Sequence, residues 1–432
     1  MNHRVYRKVL KNKMKILLVP FDETETIAVG IFIKAGSRYE TLENNGIAHF
    51  LEHMMFKGTT HLQTSTISNQ LDSVGARYNA ETSYEQTNYY IYGHKNDTEL
   101  FVKLISDLYM NPVFKEEDIK IEKGVVIEEL NMAKDDANEQ VHEMMFSDIF
   151  SNSSLRLPII GTKNNILNYT RKDIVDFRKK LYIPERTVFV VSGNFNKQKI
   201  YNLIKSLFRK QKNGHMENEQ IITFPLYDPP IQIKPNLQIK KKKIAQTSLI
   251  LAFRSHSIYS EREEMYDLIA DVLTSGSSSR LFVLLRNKLG AIYFSSAYNM
   301  SFTYEGVFAV HIGVDNRRVD EVINKVMEEL QSMKKHGITK EELDKAKKIR
   351  ITAFSLGLQT PQDFLSYYGS QELIYRVGNV PEQMHHKLDI QNHIEYYDKI
   401  TLEQVNEVIG ELFRPENLNI YIYGKSPLKI KK

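Results

Sequence analysis

The sequence predicts an α+β protein built from two similar halves, each a mixed α/β sandwich. Three observations carry that prediction. A chain of 432 residues is too long for one ordinary hydrophobic core, and two domains of roughly 200 residues are the default at that length. Strand-like and helix-like segments follow one another without the regular alternation of a doubly wound parallel sheet. The chain also repeats itself. Thr170 to Pro184 and Thr401 to Pro415 each span 14 residues, and Pro184 to Gly193 and Pro415 to Gly424 each span 9, so the stretches match at an offset of 231. Each reads as a helix N-cap, a helix, a proline turn, a β-branched or aromatic strand and a glycine stop.

Taken in order, strand-like sequence begins at Met14–Val19 and resumes at Ile27–Ile33, which runs into a helix near Gly46. Asn44 or Asn45 is placed to cap that helix. Ile47, Phe50, Leu51, Met54 and Met55 supply it with an apolar surface. Gly75 to Tyr92 is rich in Tyr and Thr with partial alternation, which predicts one or two strands. Glu116 to Phe150 reads as one long helix or a helix pair. Arg209 to Gln220 is polar without an apolar period, and Pro225, Pro229, Pro230 and Pro235 follow, so the chain is a linker there. The expected division is a first half over 1–210, a linker over 211–240 and a second half over 241–432. The second half opens with Thr247–Phe253 and a helix near Glu261, matching the first half at an offset of about 220. Thr339-Lys-Glu-Glu342 is a capping box that starts another helix.

Composition narrows the function classes. Hydrophobic residues make up 42% and charged residues 26%, ordinary for a soluble globular protein, and the net charge of +5 is mild. Lys240–Lys243 reads as the solvated start of a strand, and no nucleic-acid partner is expected. The chain has no cysteine, which excludes disulfides, cysteine-ligated zinc and a thiol nucleophile. Apolar stretches are far shorter than a membrane span. Arg4, Arg7 and Lys8 have no apolar core behind them, so no secretory signal is expected. A soluble intracellular protein without a membrane partner is the plain expectation.

The chemistry is concentrated in His49-Phe50-Leu51-Glu52-His53. On a helix, residues i, i+3 and i+4 share a face, so His49 and His53 can grip one metal ion with Glu52 beside it. Catalytic zinc needs three protein ligands and an open position, so a third ligand must come from elsewhere. Glu122 and Glu129 are seven residues apart, two turns on one face of the helix after Glu116, whereas Glu128 lies about 100° around from Glu129. Ile119, Val125, Val126 and Leu130 bury much of that helix, and a buried carboxylate pair on it needs a compensating cation or hydrogen-bond donor, which a metal would supply.

The stretches GIAHFLEHMMFKGT, YNAETSYEQTNYY and EKGVVIEELNM resemble the pitrilysin-type (inverzincin) zinc peptidases, the family of mitochondrial processing peptidase and insulin-degrading enzyme. The family signature is His-x-x-Glu-His followed by a ligand glutamate, and Glu129 lies 76 positions after His53. The resemblance implies that His49, His53 and Glu129 bind one Zn2+ per chain, that Glu52 is the catalytic base, and that Glu122 supports the site. It implies that Asn79 and Ala80 lie on an edge strand that receives substrate backbone by β-augmentation. It further implies that Arg286 and Tyr293, seven apart, reach the substrate from the second half. The expected fold is two halves facing each other as a clamshell, joined by the linker, the second half being degenerate: its aligned helix reads Asp267-Leu-Ile-Ala-Asp271. The implied activity is zinc-dependent endopeptidase cleavage of peptides or presequence-like segments; some relatives form homodimers and others heterodimers with a family member, and the resemblance leaves that choice open. The alternative is a non-catalytic structural or partner subunit. That subunit type carries a long glycine-rich loop where this chain has only Gly276 among serines.

Overall fold

The computed structural model describes residues 4–210, 232–377 and 382–425. They form two compact units, each built on one mixed sheet. The chain first lays down β1 (Tyr6–Val9), β2 (Lys15–Pro20), β3 (Thr26–Ile33), α1 (Ile47–Met55), α2 (Thr64–Ser73), β4 (Arg77–Thr82) and β5 (Thr87–His94). Then come α3 (Thr98–Met110), α4 (Glu116–Asp135), α5 (Ala137–Ile149), α6 (Lys163–Asn168), α7 (Arg171–Leu181), β6 (Thr187–Gly193) and α8 (Lys197–Leu207). The tyrosine- and threonine-rich stretch is a hairpin of two strands, closed by a Ser83 N–H to Gln86 carbonyl bond of 2.8 Å. The long helical stretch is a pair, broken at Asp136, whose side chain accepts from the N–H groups of Asn138 and Glu139 and so caps α5.

The first sheet runs β1-β2-β6-β3-β5-β4, with β2 and β6 parallel and the other neighbours antiparallel. β6 is buried throughout and β3 is buried beyond Thr26, because helices cover both faces of the central strands. Side chains alternate along β3: Val29 and Ile31 enter the main core with Phe101 and Ile105 of α3, while Gly30 and Phe32 point to the opposite face.

The second sheet is built from β7 (Asn236–Lys241), β8 (Thr247–Ser255), β9 (Ile292–Ser301), β10 (Gly306–Val314) and β11 (Asn419–Gly424), in the order β7-β11-β8-β10-β9. The helices of the second half of the chain are α9 (Glu263–Thr274), α10 (Val319–His336), α11 (Lys340–Gly357), α12 (Pro361–Gln371), α13 (Ile390–Lys399) and α14 (Leu402–Leu412). Leaving β1 aside, the two sheets have one topology: β2-β6-β3-β5-β4 corresponds to β7-β11-β8-β10-β9, with the parallel pair at the same place. The 231-residue repeat is α7-β6 against α14-β11. Both helices open with a capping box, at Thr170/Asp173 and Thr401/Gln404.

Two segments depart from the expected division at 210 and 240. The first unit takes Met1–Leu130, Leu157–Leu226 and Gly357–Leu388, and the second takes Asn131–Arg156, Tyr227–Leu356 and Asp389–Lys432. Thus α5, from the first half of the chain, packs on β8 and β11, and α12, from the second half, packs on β3 and β6. The reason is packing. Leu365 of α12 lies against Gly30, and Gly369 lies against the Phe32 ring. On α5, Asp148 accepts a 2.6 Å bond from Tyr421 of β11, and Asn138 accepts a 2.9 Å bond from Ser248 of β8. Positions 211–231 of the expected linker lie outside the described residues, and its last residues, 236–240, belong to β7. Leu237 and Ile239 give β7 its partial alternation, and Lys240 and Lys241 end it as exposed residues. Among the described residues, no helix is long and apolar enough to cross a membrane.

Candidate metal centre

α1 forms because Ile47, Ala48, Phe50, Leu51, Met54 and Met55 are all buried on one side of nine residues. The remaining face carries His49, Glu52 and His53, each partly buried. The imidazole centroids of His49 and His53 lie 4.6 Å apart, edge to face. Glu129 reaches across from α4: its Oε2 is 3.8 Å from His49 Nε2 and 3.4 Å from His53 Nε2. One ligand atom from each of the three residues falls within 4.8 Å of the others, and no other such group of His, Asp or Glu occurs among the described residues. Glu122, two turns earlier on α4, is buried and accepts from His53 Nδ1 at 2.8 Å. That bond holds the proton on Nδ1 and leaves the Nε2 lone pair facing Glu129. Lys57 Nζ grips the other Glu122 oxygen at 2.6 Å.

The two glutamates share a face as their spacing predicts, and Glu128 is exposed. One expectation for α4 fails. Val125 is 43% exposed rather than buried, because it sits about 100° around the helix from buried Val126.

Electrostatics fit a metal site. Burial, with His53 adding, holds His49 down to about 4, so it is neutral and able to ligate. Burial also works against charge on His53, but the bonds and charges of Glu122, Glu129 and Glu52 outweigh it and raise that imidazole. Burial pushes Glu122 up, yet His53 and Lys57 prevail and hold it below the usual carboxylate range. The result is two imidazoles and a carboxylate converging on one point, with an ionised carboxylate behind the second imidazole. That donor set suits zinc, and His49, His53 and Glu129 are the residues that would hold it.

Glu52 points along the same face. Thr82 Oγ1 on β4 donates to its Oε2 at 3.2 Å, and burial raises the carboxyl above its ordinary value. Asn79 and Ala80 sit on β4, the last strand of the sheet, paired with Tyr90 and Tyr89 on one side only; Asn79 is exposed and Ala80 buried. Arg286 and Tyr293 belong to the second unit. There Arg286 Nη1 donates to the Ile292 carbonyl at 2.7 Å, beside Tyr293, which is 62% exposed.

Neither asparagine caps α1. Its N-cap is Gly46, at φ 97°, a left-handed conformation that suits glycine. Glu40 does the capping: its Oε2 accepts from Gly46 N at 2.8 Å and Asn45 Nδ2 at 2.9 Å, and its Oε1 accepts from Ala48 N at 2.7 Å. The side chain of Asn44 instead accepts from Thr41 N at 2.7 Å. Tyr169 and Asn165 then hold the Asn45 carbonyl, at 2.5 and 3.2 Å. Burial pushes Glu40 up to about 8 against its three N–H donors. The sequence signal was missed because Glu40 lies six residues before the cap, outside the N-cap spacing rules. Lys57 lies two residues past the end of α1, where the helical i, i+4 spacing from His53 no longer places a side chain. The Glu40→Gln variant keeps the length but turns an NH2 group onto a backbone N–H. We expect it to lose about 1–3 kcal/mol of stability and to release zinc more readily in chelator competition. Parental values in both measurements would remove Glu40 from this role.

Residues 15–163 match the model of the insulinase family of peptidases (peptidase family M16), and residues 168–350 match the peptidase M16 inactive domain. An uncharacterized zinc protease of Bacillus subtilis is 30% identical over 414 residues, covering 95% of this chain and 96% of that protein. Another from Rickettsia bellii is 31% identical over 360 residues, covering 83% and 84%. Among solved structures, a protease from Helicobacter pylori superposes with a TM-score of 0.87 at 24% identity, covering 98% of this chain and 100% of that one. A peptidase M16 inactive domain from Pseudomonas fluorescens gives 0.85 at 16%, covering 99% of each. At these identities the structural likenesses establish the two-unit fold.

Proposed function

Because this chain belongs to the insulinase (M16) family of peptidases, we propose that it is a zinc-dependent endopeptidase acting on extended peptide segments. The observation that carries the reading is the convergence of His49, His53 and Glu129 on one point, with Glu52 on the same helix face.

Zinc held by such a donor set supplies Lewis acidity, acidifying water and polarising a carbonyl oxygen. The chain's own residues supply the rest. Glu52 takes the proton from the attacking water and returns it to the leaving nitrogen. Its burial suits it to this, because a carboxylate raised toward neutrality holds a proton more firmly once it has taken it. Thr82 fixes one Glu52 oxygen, so the base is oriented from the same strand that offers its outer edge. Among the described residues no strand pairs with that edge of β4, and an extended peptide can take its N–H and C=O groups. Glu122 and Lys57 keep His53 in its ligating tautomer and orientation.

The test is zinc content by elemental analysis together with cleavage of a peptide library by the full chain. One zinc per chain with cleavage inside peptides supports the reading. A zinc-loaded chain that cleaves no peptide would favour a non-catalytic partner subunit instead.

A further inference from the structure

The repeat places a second constellation in the second unit. α9 follows β8 as α1 follows β3, and α11 follows β10 and α10 as α4 follows β5 and α3. Aligned by sequence, His49-Phe-Leu-Glu-His53 faces Asp267-Leu-Ile-Ala-Asp271. Both ligand positions have become aspartates, again one helical turn apart, and the position of Glu52 is Ala270. From α11, the counterpart of the helix that carries Glu129, Arg350 reaches both carboxylates. Its Nε lies 2.6 Å from Asp271 Oδ2, and its Nη2 lies 3.5 Å from Asp267 Oδ1 and donates to the Asp267 carbonyl at 3.0 Å. Tyr397 donates to the other Asp267 oxygen at 2.8 Å, and Ser275 to the other Asp271 oxygen at 2.5 Å. Asp271 is buried and Asp267 half-buried. Burial pushes both carboxyls up, and Arg350 is the largest influence acting against it.

The edge strand differs in the same sense. β9 occupies the place of β4, but its Ala297 N–H is taken by Thr274 Oγ1 at the end of α9, at 2.8 Å.

We propose that the second unit keeps the repeat's cation site, between Asp267 and Asp271, and that the guanidinium of Arg350 is its resident cation. The charge logic is inverted piece by piece. Two imidazoles and a carboxylate suit a divalent ion, whereas two carboxylates suit a guanidinium, a planar cation with several fixed donors. A cation on the chain itself needs no supply and cannot be chelated away. Without Glu52's counterpart, the site has no base.

The test uses the full chain, with the thermal midpoint and zinc content as readouts. Arg350→Ala should lower the midpoint by on the order of 5 °C, because it leaves two carboxylates without a cation. Methylguanidinium chloride at millimolar concentration should recover part of that loss, while sodium chloride at equal ionic strength should not. The neutral combination Arg350→Met with Asp267→Asn and Asp271→Asn should melt above Arg350→Met alone; if the single variant does not fold, the combination should. Zinc content of every folded variant should equal that of the parent. A parental midpoint for Arg350→Ala, or a neutral combination no more stable than Arg350→Met, overturns the proposal. These outcomes do not depend on peptide cleavage, so they stand apart from the test of the proposed activity.

Discussion

Peptide cleavage by the Glu52→Gln variant is expected to fall by about 10²- to 10⁴-fold, the range that loss of a positioned general base produces, with zinc content unchanged. The two readouts separate because of where Glu52 sits. It shares the face of His49 and His53, yet the group of convergent ligand atoms consists of His49, His53 and Glu129 alone. Glutamine is nearly isosteric and can still accept from Thr82, so α1 and β4 keep their relation. What is lost is the capacity to take a proton. Cleavage rates measured at saturating zinc, beside elemental analysis of the same sample, check this. Parental turnover by the variant would sink the assignment of the base, and loss of zinc would make Glu52 a ligand instead.

Replacement of a ligand should act in the opposite way. Glu129→Ala, His49→Ala and His53→Ala are each expected to leave the chain without stoichiometric zinc after dialysis, and without cleavage. Glu122→Gln should be milder, weakening zinc by about 10- to 100-fold as outer partners of metal-bound histidines do. The ranking follows from contact: Glu129 approaches both Nε2 atoms, whereas Glu122 meets His53 at Nδ1, with Lys57 on its other oxygen. Chelator competition across the four variants measures it. A Glu122→Gln variant that binds zinc more weakly than Glu129→Ala would reverse the two roles.

Much of this was legible in the sequence because it depends on short-range periodicity. The shared face of His49, Glu52 and His53, the two-turn spacing of Glu122 and Glu129 and the 231-residue repeat are all properties of position along the chain. What was not legible depends on contacts distant in sequence. Glu40 caps α1 through a turn that no spacing rule describes, so the nearby asparagines looked better placed. β7 emerged from the expected linker because its partner β11 lies far along the chain, and a partly exposed edge strand has only a weak pattern. The placement of α5 and α12 was hidden for the same reason, since an amphipathic helix announces that it has an apolar face but not which sheet will cover it.

That placement has a consequence for how the polypeptide can be divided. A fragment ending at residue 210 would lack α12 over Gly30 and Phe32 and would carry α5 with Val141, Met145 and Phe146 stripped of their sheet. A fragment beginning at residue 241 would have the mirror deficit. Duplication of an ancestral unit normally leaves two copies that can be separated again; here each copy has lent one helix to the other, and the loan is reciprocal. Split at the junction, the pieces would regain their native cores only by finding each other, so recovery would become concentration-dependent.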